Sequence, residues 1–307
     1  MRNAFIRGLI DIAKEDDKLV LLMAEVGFGV TEPFERLYPD RFYNVGISEQ
    51  SLVLNAAGLA IKGLHPVAYS MSSFLPTRAF EMIKDSVCYQ NLPVVLVGIG
   101  SGVSYGELGS THHAIEEEAI MRSLPNLTVM FPCNSDDCIS ALRYAFSKNG
   151  PVYIGLEKIN CPISGNVEKY SLSWKKFGIG KDGAIIAVGT MYKTALCVAE
   201  KLKEQNLDIC VYCANTVKPM DCSAIEEAID NGRVFVLDEH VSIGGVGESI
   251  ARYILETGKA SKIKSFINFS LKDEFPKLIY SMNDLLSNNG LVVEKIASDI
   301  SKVVFGM

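Results

Sequence analysis

Glu49 is the residue whose type and position point most directly to chemistry, because it stands at the predicted start of an apolar helix. Residues 55–60, which follow it, are almost wholly small and apolar, so this helix is expected to be buried. A buried carboxylate needs a partner, and a nitrogen atom of a bound ligand is one candidate. The alternative is structural, since an acidic group in a first helical turn interacts favourably with the helix dipole.

A second group of candidates lies in residues 98–113, here called the glycine-rich loop. The loop follows an apolar predicted strand, and ligands of open α/β sheets usually bind beyond the carboxyl ends of the strands. Its glycines let the backbone approach a ligand closely, and His112 and His113 can exchange protons near neutral pH. Neighbouring side chains on a helix diverge, so we do not expect both histidines to bind one metal ion. A solvated surface loop is the alternative.

A third segment, residues 69–80, also follows a predicted strand. Phe74 could offer an aromatic face to a ring-shaped ligand, with Met71 as a polarisable neighbour. Core filling is the alternative for Phe74, and Arg78 would then be an ordinary residue of a first helical turn. Glu25 ends another predicted strand and could reach the same site.

The elements that must position these residues alternate between apolar β-branched runs and stretches of helical period. This pattern predicts an α/β fold with mostly parallel sheets covered by helices. Residues 160–174 lack periodicity and are rich in Pro, Gly, Asn and Ser, so we predict a boundary there between two α/β domains, residues 1–165 and 175–307. The predicted strands are 18–23, 66–70, 93–98, 128–131, 152–156, 184–188, 209–214 and 233–237. The predicted helices are 48–61, 77–89, 116–124, 136–146, 192–204, 223–231 and 248–256.

Composition excludes several classes of function. The chain has 307 residues and a formal net charge of −6, which argues against a surface for nucleic acid or acidic membranes. No signal-peptide core opens the sequence and no run of eighteen apolar residues occurs, so a soluble, cytoplasmic protein is expected. The eight cysteines are expected to be reduced thiols. Cys210 and Cys213 have metal-site spacing, but in a strand they would face opposite sides.

In their order along the chain, these segments resemble the transketolase family, specifically its C-terminal half carried on a separate chain. The resemblance covers nearly all of the sequence. Its strongest parts are residues 41–50, which include Glu49, with residues 55–60 after them, and the Gly-x-Thr-His motif in residues 109–116. In the second domain, residues 237–240 followed by 244–247 are similar to the family's C-terminal domain.

The resemblance implies a first domain that binds the pyrimidine of thiamine diphosphate, followed by a transketolase C-terminal domain. In this family a glutamate at the position of Glu49 hydrogen-bonds N1′ of the aminopyrimidine and so assists removal of the thiazolium C2 proton. Phe74 would stack on the pyrimidine, with Met71 and Glu25 as further cofactor-binding candidates. His112 would face the oxygens of the substrate at the reacting carbon.

The family also implies a partner. Its members hold Mg²⁺ or Ca²⁺ and the diphosphate with a Gly-Asp-Gly sequence and a later Asn, and this sequence contains no such motif. We therefore expect an N-terminal transketolase subunit that carries the diphosphate-binding domain and the metal, whereas this chain is expected to bind no metal itself. An α2β2 assembly with self-dimerisation is the expected form, and this chain alone should be inactive.

Departures from the family pattern bear on the substrate. Leu108 stands where ordinary transketolases have an aspartate, and Gly100 where a histidine is usual. Gly29 aligns with a serine that contacts the acceptor phosphate, Lys158 falls about where an arginine is used, and Arg2 is the candidate for another arginine. Fewer contacts to a phosphorylated ketose are thus expected, and a different donor or a modified acceptor sugar becomes plausible. The substrate-binding candidates are His112, His113, Arg78, Lys158 and Arg2.

Three kinds of function remain open, the second of which comprises two other thiamine-dependent enzymes, a 2-oxo acid dehydrogenase and a deoxyxylulose-phosphate synthase. The leading one is a transketolase-like transferase that moves a two-carbon ketol unit between sugars or sugar phosphates. Residues 122–127 and the Gly-x-Thr-His-His motif favour it over the β subunit of a 2-oxo acid dehydrogenase. Phe74 and residues 78–80 relate the chain to deoxyxylulose-phosphate synthases. A non-catalytic regulatory subunit that retains the fold is the third possibility.

Overall fold

The chain forms two α/β domains with mostly parallel sheets, as predicted. A computed structural model describes residues 1–27, 29–159, 162–164, 167–276 and 279–306. The predicted domain boundary falls partly on residues 160, 161, 165 and 166, which lie outside the described residues, so the exact limits of the domains stay a prediction.

The first domain carries the segments that were singled out for chemistry. Its helices within the described residues are α1 (Arg2–Glu15), α2 (Glu32–Leu37), α3 (Glu49–Ile61), α4 (Leu75–Arg78), α5 (Phe80–Met82), α6 (Glu117–Arg122) and α7 (Ser135–Ser147). Its strands are β1 (Leu19–Met23), β2 (Phe42–Asn44), β3 (His65–Met71), β4 (Val95–Ile99), β5 (Thr128–Met130) and β6 (Val152–Leu156). They lie side by side and parallel in the order β5-β6-β4-β3-β1-β2.

The second domain repeats the alternation on a smaller sheet. Its strands within the described residues are β7 (Lys175–Phe177), β8 (Gly183–Val188), β9 (Ile209–Ala214), β10 (Thr216–Lys218), β11 (Arg233–Val241) and β12 (Ser265–Leu271). Its helices are α8 (Tyr192–Lys203), α9 (Cys222–Asp230), α10 (Val246–Glu256), α11 (Met282–Asn288) and α12 (Val293–Phe305). The sheet order is β12-β11-β8-β9-β7. β10 instead pairs antiparallel with β5, which joins the second domain to the edge of the first sheet.

Burial explains why the strands read as continuous apolar runs. Every residue of β1, β4 and β6 is buried, as expected for parallel strands covered by helices on both faces. Alternate residues of β1 enter different cores: Val20 packs in one cluster and Leu21 in the other, because successive side chains of a strand point to opposite faces. A shift of one residue would move each side chain of β1 to the other core, so burial fixes the register of the sheet and the position of its carboxyl edge.

The predicted helix over residues 77–89 differs from the structure. The chain forms two short helices, α4 and α5, and then a π-helical turn, Ile83–Cys88. The break lies at Ala79, whose backbone (φ −109°, ψ 16°) leaves the helical region. Helical period alone misses such a break, because it reports the buried face of a whole segment and not the backbone dihedral angles of one residue.

The C-terminal elements β12, α11 and α12 were not predicted. One signal for them was present, since Ser281 and Asp284 form a capping box at the start of α11. The longest described helix, α1, has 14 residues, and nothing in the described part of the chain is both long and apolar enough to cross a membrane as a helix.

The expectation that all cysteines are reduced is wrong for one pair. Cys133, which follows β5, forms a disulfide with Cys213 on β9, 80 residues away in sequence. The prediction failed because it considered each cysteine in its own segment, whereas folding brings the end of β5 against the second sheet. Cys210, three residues from Cys213 on the same strand, stays a free, buried thiol.

Candidate active site

Glu49 lies at the start of α3 and is only 2% exposed, so its predicted burial is confirmed. Its Oε1 atom accepts a hydrogen bond from the Ser70 hydroxyl at 3.1 Å. Its Oε2 atom accepts one from Nη1 of Arg78 at 3.0 Å. Ser70 lies near the carboxyl end of β3 and Arg78 ends α4, so the sheet edge and the following helix together hold the carboxylate.

An aromatic ring lies beside this carboxylate. The guanidinium carbon of Arg78 is 3.9 Å from the centroid of the Phe74 ring, and the same guanidinium donates to Glu49. On another side, the rings of Phe74 and His112 meet edge to face, with centroids 5.3 Å apart and an interplanar angle of 65°. Four candidates from three separate segments of the sequence, namely Glu49, Phe74 with Arg78, and His112, thus form one cluster. A flat, cationic group that donates an N–H fits the pair of Phe74 and Glu49, because Arg78 makes both contacts.

His112 is presented by a short 3-10 turn at the end of the glycine-rich loop. It is half-buried, and its Nδ1 atom lies 3.0 Å from the Thr111 hydroxyl. The turn begins after Gly109, whose φ of +77° favours glycine. The backbone of Ala114 donates to the carbonyl of Gly102 at 2.8 Å, which closes the loop just beyond the histidine.

Met71 and Glu25 lie at the same carboxyl edge of the sheet. Met71 ends β3 and is half-buried. Glu25 follows β1, has a left-handed backbone (φ 47°), and accepts a hydrogen bond from the Asn44 side chain at 2.6 Å. Gly29, the position aligned with a phosphate-binding serine, is exposed. Their roles as cofactor or substrate contacts stay predictions.

Arg2 and Lys158 are far apart in sequence but line one cavity of about 320 Å³. The ammonium of Lys158 lies 4.8 Å from the centroid of the Tyr105 ring. The backbone N–H of Lys158 donates to the Ser104 hydroxyl at 3.3 Å. Burial raises the pKa of Tyr105, and the charge of Arg2 partly offsets this rise. Both cations are therefore beside the glycine-rich loop that carries His112.

His113 is placed differently from His112. It is buried, its Nε2 atom is 3.4 Å from the carbonyl oxygen of Gly106, and burial lowers its pKa. It lines a cavity of about 440 Å³ together with residues of the second domain, among them Leu271 and Tyr280. The expected divergence of the two histidines is confirmed. The position of His113 therefore lends no support to its role as a substrate contact.

A buried network of hydrogen-bonded polar side chains was not predicted from the sequence. Oε1 of Glu117 accepts hydrogen bonds from Ser101 at 3.1 Å and from the Tyr153 hydroxyl. The hydroxyl of Ser101 in turn lies 3.2 Å from that of Ser72. Burial raises the pKa of Glu117 to about 7. These hydrogen bonds connect the segment of Phe74 to the glycine-rich loop. The one sequence signal of this network was a glutamate five residues after His112, which ends the Gly-x-Thr-His motif.

Comparisons with known families cover most of the chain. Residues 1–163 match the family described as "Transketolase, pyrimidine binding domain". Residues 174–296 match the family described as "Transketolase, C-terminal domain".

Individual relatives agree with these matches. One subunit of the apulose-4-phosphate transketolase of Actinobacillus succinogenes is 35% identical over 86% of this chain and 86% of its own length. A 1-deoxy-D-xylulose-5-phosphate synthase of Carboxydothermus hydrogenoformans is 34% identical over 96% of this chain, which spans only 47% of that protein. A solved structure described as "Split gene transketolase, inactive beta4 tetramer" is 29% identical and superimposes with a TM-score of 0.88, covering 99% of this chain and 98% of that one. This chain belongs to the transketolase family.

Proposed function

We propose that this chain is the C-terminal subunit of a two-chain, thiamine diphosphate-dependent transketolase that transfers a two-carbon ketol unit between sugars or sugar phosphates. The observation that carries the proposal is the buried carboxylate of Glu49 beside the ring of Phe74, with His112 at the edge of that ring. A buried carboxylate and an aromatic face are the two contacts that an aminopyrimidine requires.

The residues of this chain have distinct tasks in the proposed reaction. When bound, thiamine diphosphate supplies the carbon nucleophile that cleaves and forms the carbon–carbon bond. Glu49 holds a proton at N1′ of the pyrimidine, and its burial strengthens that hydrogen bond by excluding water. Phe74 orients the pyrimidine by stacking. His112 donates a hydrogen bond to the substrate oxygen on which negative charge develops.

The two cations suggest how the sugar is held. Arg2 and Lys158 line the same cavity, and Lys158 also contacts Tyr105 of the loop that carries His112. Such side chains bind phosphate groups well. A similar chain is one subunit of a transketolase named for a sugar phosphate, apulose 4-phosphate. We therefore favour a phosphorylated sugar as one of the two substrates.

A partner subunit completes the proposal. This chain is similar over most of its length to one subunit of a transketolase that has more than one, and it spans about half of the single-chain synthases that it matches. We propose that a separate subunit holds the diphosphate and Mg²⁺ or Ca²⁺, in an α2β2 assembly. Exposed apolar side chains just before α3 and along it suit such an interface: Ile47 is 78% exposed, Leu54 47% and Ile61 60%.

The test is reconstitution with the diphosphate-binding chain of the same organism. We expect turnover of a ketose donor with an aldose acceptor only when both chains, thiamine diphosphate and Mg²⁺ are present. Parallel assays with a 2-oxo acid and an electron acceptor, and with pyruvate and glyceraldehyde 3-phosphate, cover the alternatives. The second alternative has support, because several synthases of deoxyxylulose phosphate are similar to this chain. Turnover of pyruvate with no turnover of a ketose donor would overturn the proposed ketol transfer.

A further inference from the structure

The second domain contacts the glycine-rich loop at one point within it and at a second point two residues beyond its end. Within the loop the Val103 N–H donates to Oε1 of Glu239 at 2.6 Å. Beyond its end the Val241 N–H donates to the carbonyl of Ile115 at 3.0 Å. Glu239 and Val241 are alternate residues near the end of β11. One strand of the second domain therefore makes a hydrogen bond to the backbone on each side of His112.

The packing of the loop against the second domain is close. Val103 is 3% exposed and belongs to the apolar core of the second domain, although it lies in the first. Gly102 has a positive φ of +62°, and any side chain there would overlap the carboxyl group of Glu239. A side chain at Gly106 would come within 2.8 Å of the carbonyl oxygen of Tyr280. Glycine is therefore required where the loop meets the second domain.

Glu239 is an unusual anchor because it is a buried acid. Its side chain is 8% exposed, and its Oε2 atom has no hydrogen-bond partner among the described residues. It faces a small cavity of about 30 Å³ at the domain interface, which Glu117 and Glu157 also line. Burial, together with repulsion from Glu157, raises its pKa well above the ordinary value. What Glu239 offers Val103 is an oxygen acceptor, Oε1, and a carboxyl oxygen accepts a hydrogen bond whether or not the group is ionised.

We propose that Glu239 is a positioning residue for His112: by accepting the Val103 N–H it fixes the glycine-rich loop, and the loop holds the imidazole edge-on to Phe74. The second domain thereby takes part in the reaction without contacting substrate or cofactor. The inference rests on the proposed function wherever it is read out as turnover, because His112 is placed in the site by that proposal.

The contact path from Glu239 to His112 is short. The hydrogen bond from the Ala114 N–H to the carbonyl of Gly102, the residue before Val103, closes the segment of residues 102–114. A restraint on Val103 therefore limits this whole segment, which includes the turn of His112. Small displacements of a catalytic group lower the rate strongly, by about 10²-fold for 1 Å.

The test compares three substitutions of Glu239 in the full chain. Glu239→Leu removes the acceptor. Glu239→Asp shortens the side chain by one methylene and so moves the acceptor oxygen away from the Val103 N–H. Glu239→Gln keeps an acceptor oxygen without an ionisable group. We expect Leu and Asp to raise hydrogen–deuterium exchange in residues 102–115 about tenfold, since one net hydrogen bond is lost. Gln should exchange as the wild type does. The matched control is Glu157→Gln, which alters an equally buried acid of the same cavity that bonds Thr190 and not the loop.

Two further measurements separate positioning from general destabilisation. The imidazole signals of His112, assigned by their loss in His112→Asn, should shift in Glu239→Leu and Glu239→Asp but not in Glu239→Gln. In the reconstituted enzyme, kcat should fall about 10- to 100-fold in the Leu and Asp variants, with the Kd of thiamine diphosphate unchanged. Wild-type signals and wild-type kcat in Glu239→Gln are the result that a general loss of stability in the Leu and Asp variants would not explain.

Each result bears on the inference. Unchanged exchange of the loop in Glu239→Leu, or increased exchange with His112 signals and kcat as in the wild type, would overturn it. Equal damage by Gln and Leu would also overturn it, because an acceptor would then be insufficient. If the reconstituted wild type transfers no ketol unit, the proposed function fails by itself, while loop exchange and the His112 signals still decide the role of Glu239.

Discussion

Arg78 donates a hydrogen bond to the carboxylate of Glu49 across 3.0 Å, although Glu49 is 2% exposed and Arg78 is 45% exposed. The ion pair thus joins a buried carboxylate to a guanidinium that is partly exposed to solvent. Ion pairs with an exposed partner contribute little to stability, typically about 0–1 kcal/mol. A ligand that offers an N–H to Glu49 can therefore displace Arg78 at low cost.

Glu49→Gln tests the central assignment. The amide keeps the size of the side chain and one acceptor oxygen but cannot share a proton with a ring nitrogen as a carboxylate does. We expect kcat of the reconstituted enzyme to fall by about 10²–10⁴-fold, the usual contribution of general acid–base assistance. Stopped-assay measurement of product with saturating cofactor gives the value.

The control for this prediction is Glu35→Gln, which alters an exposed glutamate on α2. It should leave kcat within a factor of about two, as surface substitutions usually do. Full activity of Glu49→Gln would mean that the carboxylate is a structural partner of Ser70 and Arg78, as the helix-dipole interpretation of the sequence has it.

Arg78→Ala asks whether this side chain competes with the cofactor. Removing it frees Oε2 of Glu49 and one face of Phe74, so the complex should bind thiamine diphosphate more tightly. The expected gain is about two- to fivefold in Kd, the worth of a partly exposed ion pair. Quenching of intrinsic fluorescence during cofactor titration measures it. Weaker binding would show instead that Arg78 contacts the cofactor directly or supports Glu49 in its bound position.

The sequence predicted the first domain well because its signals are local. Continuous apolar runs marked the buried strands, and the small apolar residues after Glu49 marked a buried helix. The approach of Phe74 to His112 was not predictable from patterns, since it depends on where two separate loops leave the sheet. Only the resemblance to a family placed them in one site.

The second domain was predicted less completely, for a physical reason. The acceptor role of Glu239 involves a backbone N–H 136 residues earlier, and no sequence period encodes such a pair. The same holds for the disulfide between Cys133 and Cys213 and for the pairing of β10 with β5. Each depends on how the two domains dock, and single-segment patterns carry no information about docking.

Lys158→Met tests the site proposed for phosphate. Removing one cation beside the 320 Å³ cavity should raise KM for a phosphorylated acceptor about tenfold, the lower end for loss of a hydrogen bond to a charged group. KM for the unphosphorylated sugar should change little, and Lys158→Arg should restore most of the affinity. Initial rates over a range of acceptor concentrations separate KM from kcat.

Lys181→Met is the matched control, because Lys181 is an exposed lysine of the second domain outside the described cavity. Equal increases in KM for the phosphorylated and unphosphorylated sugars in Lys158→Met would argue against a phosphate contact. Added salt gives a second check, since screening weakens an exposed charge–phosphate interaction.

Glu117 should make the stability of the protein depend on pH. Burial raises its pKa from 4.5 to about 7, so between these values the folded protein binds a proton that the unfolded chain has released. The associated stability is fully present below about pH 4.5 and is lost as pH rises towards 7, by roughly 3 kcal/mol in total. Glu117→Gln keeps the oxygen that accepts from Ser101 and Tyr153 but does not ionise. Its melting temperature should therefore fall less than that of the wild type between pH 5 and pH 8.

Thermal melts at several pH values check this prediction, with Glu204→Gln as the control because Glu204 is an exposed acid at the end of α8. That variant should follow the wild-type curve. Glu157 has a similarly raised pKa of about 7, again because of burial, so Glu117→Gln should remove only part of the slope and the double variant with Glu157→Gln more of it. Parallel curves for the wild type and both variants would mean that these acids ionise in the folded protein without cost, which their unpartnered Oε2 atoms within the described residues argue against.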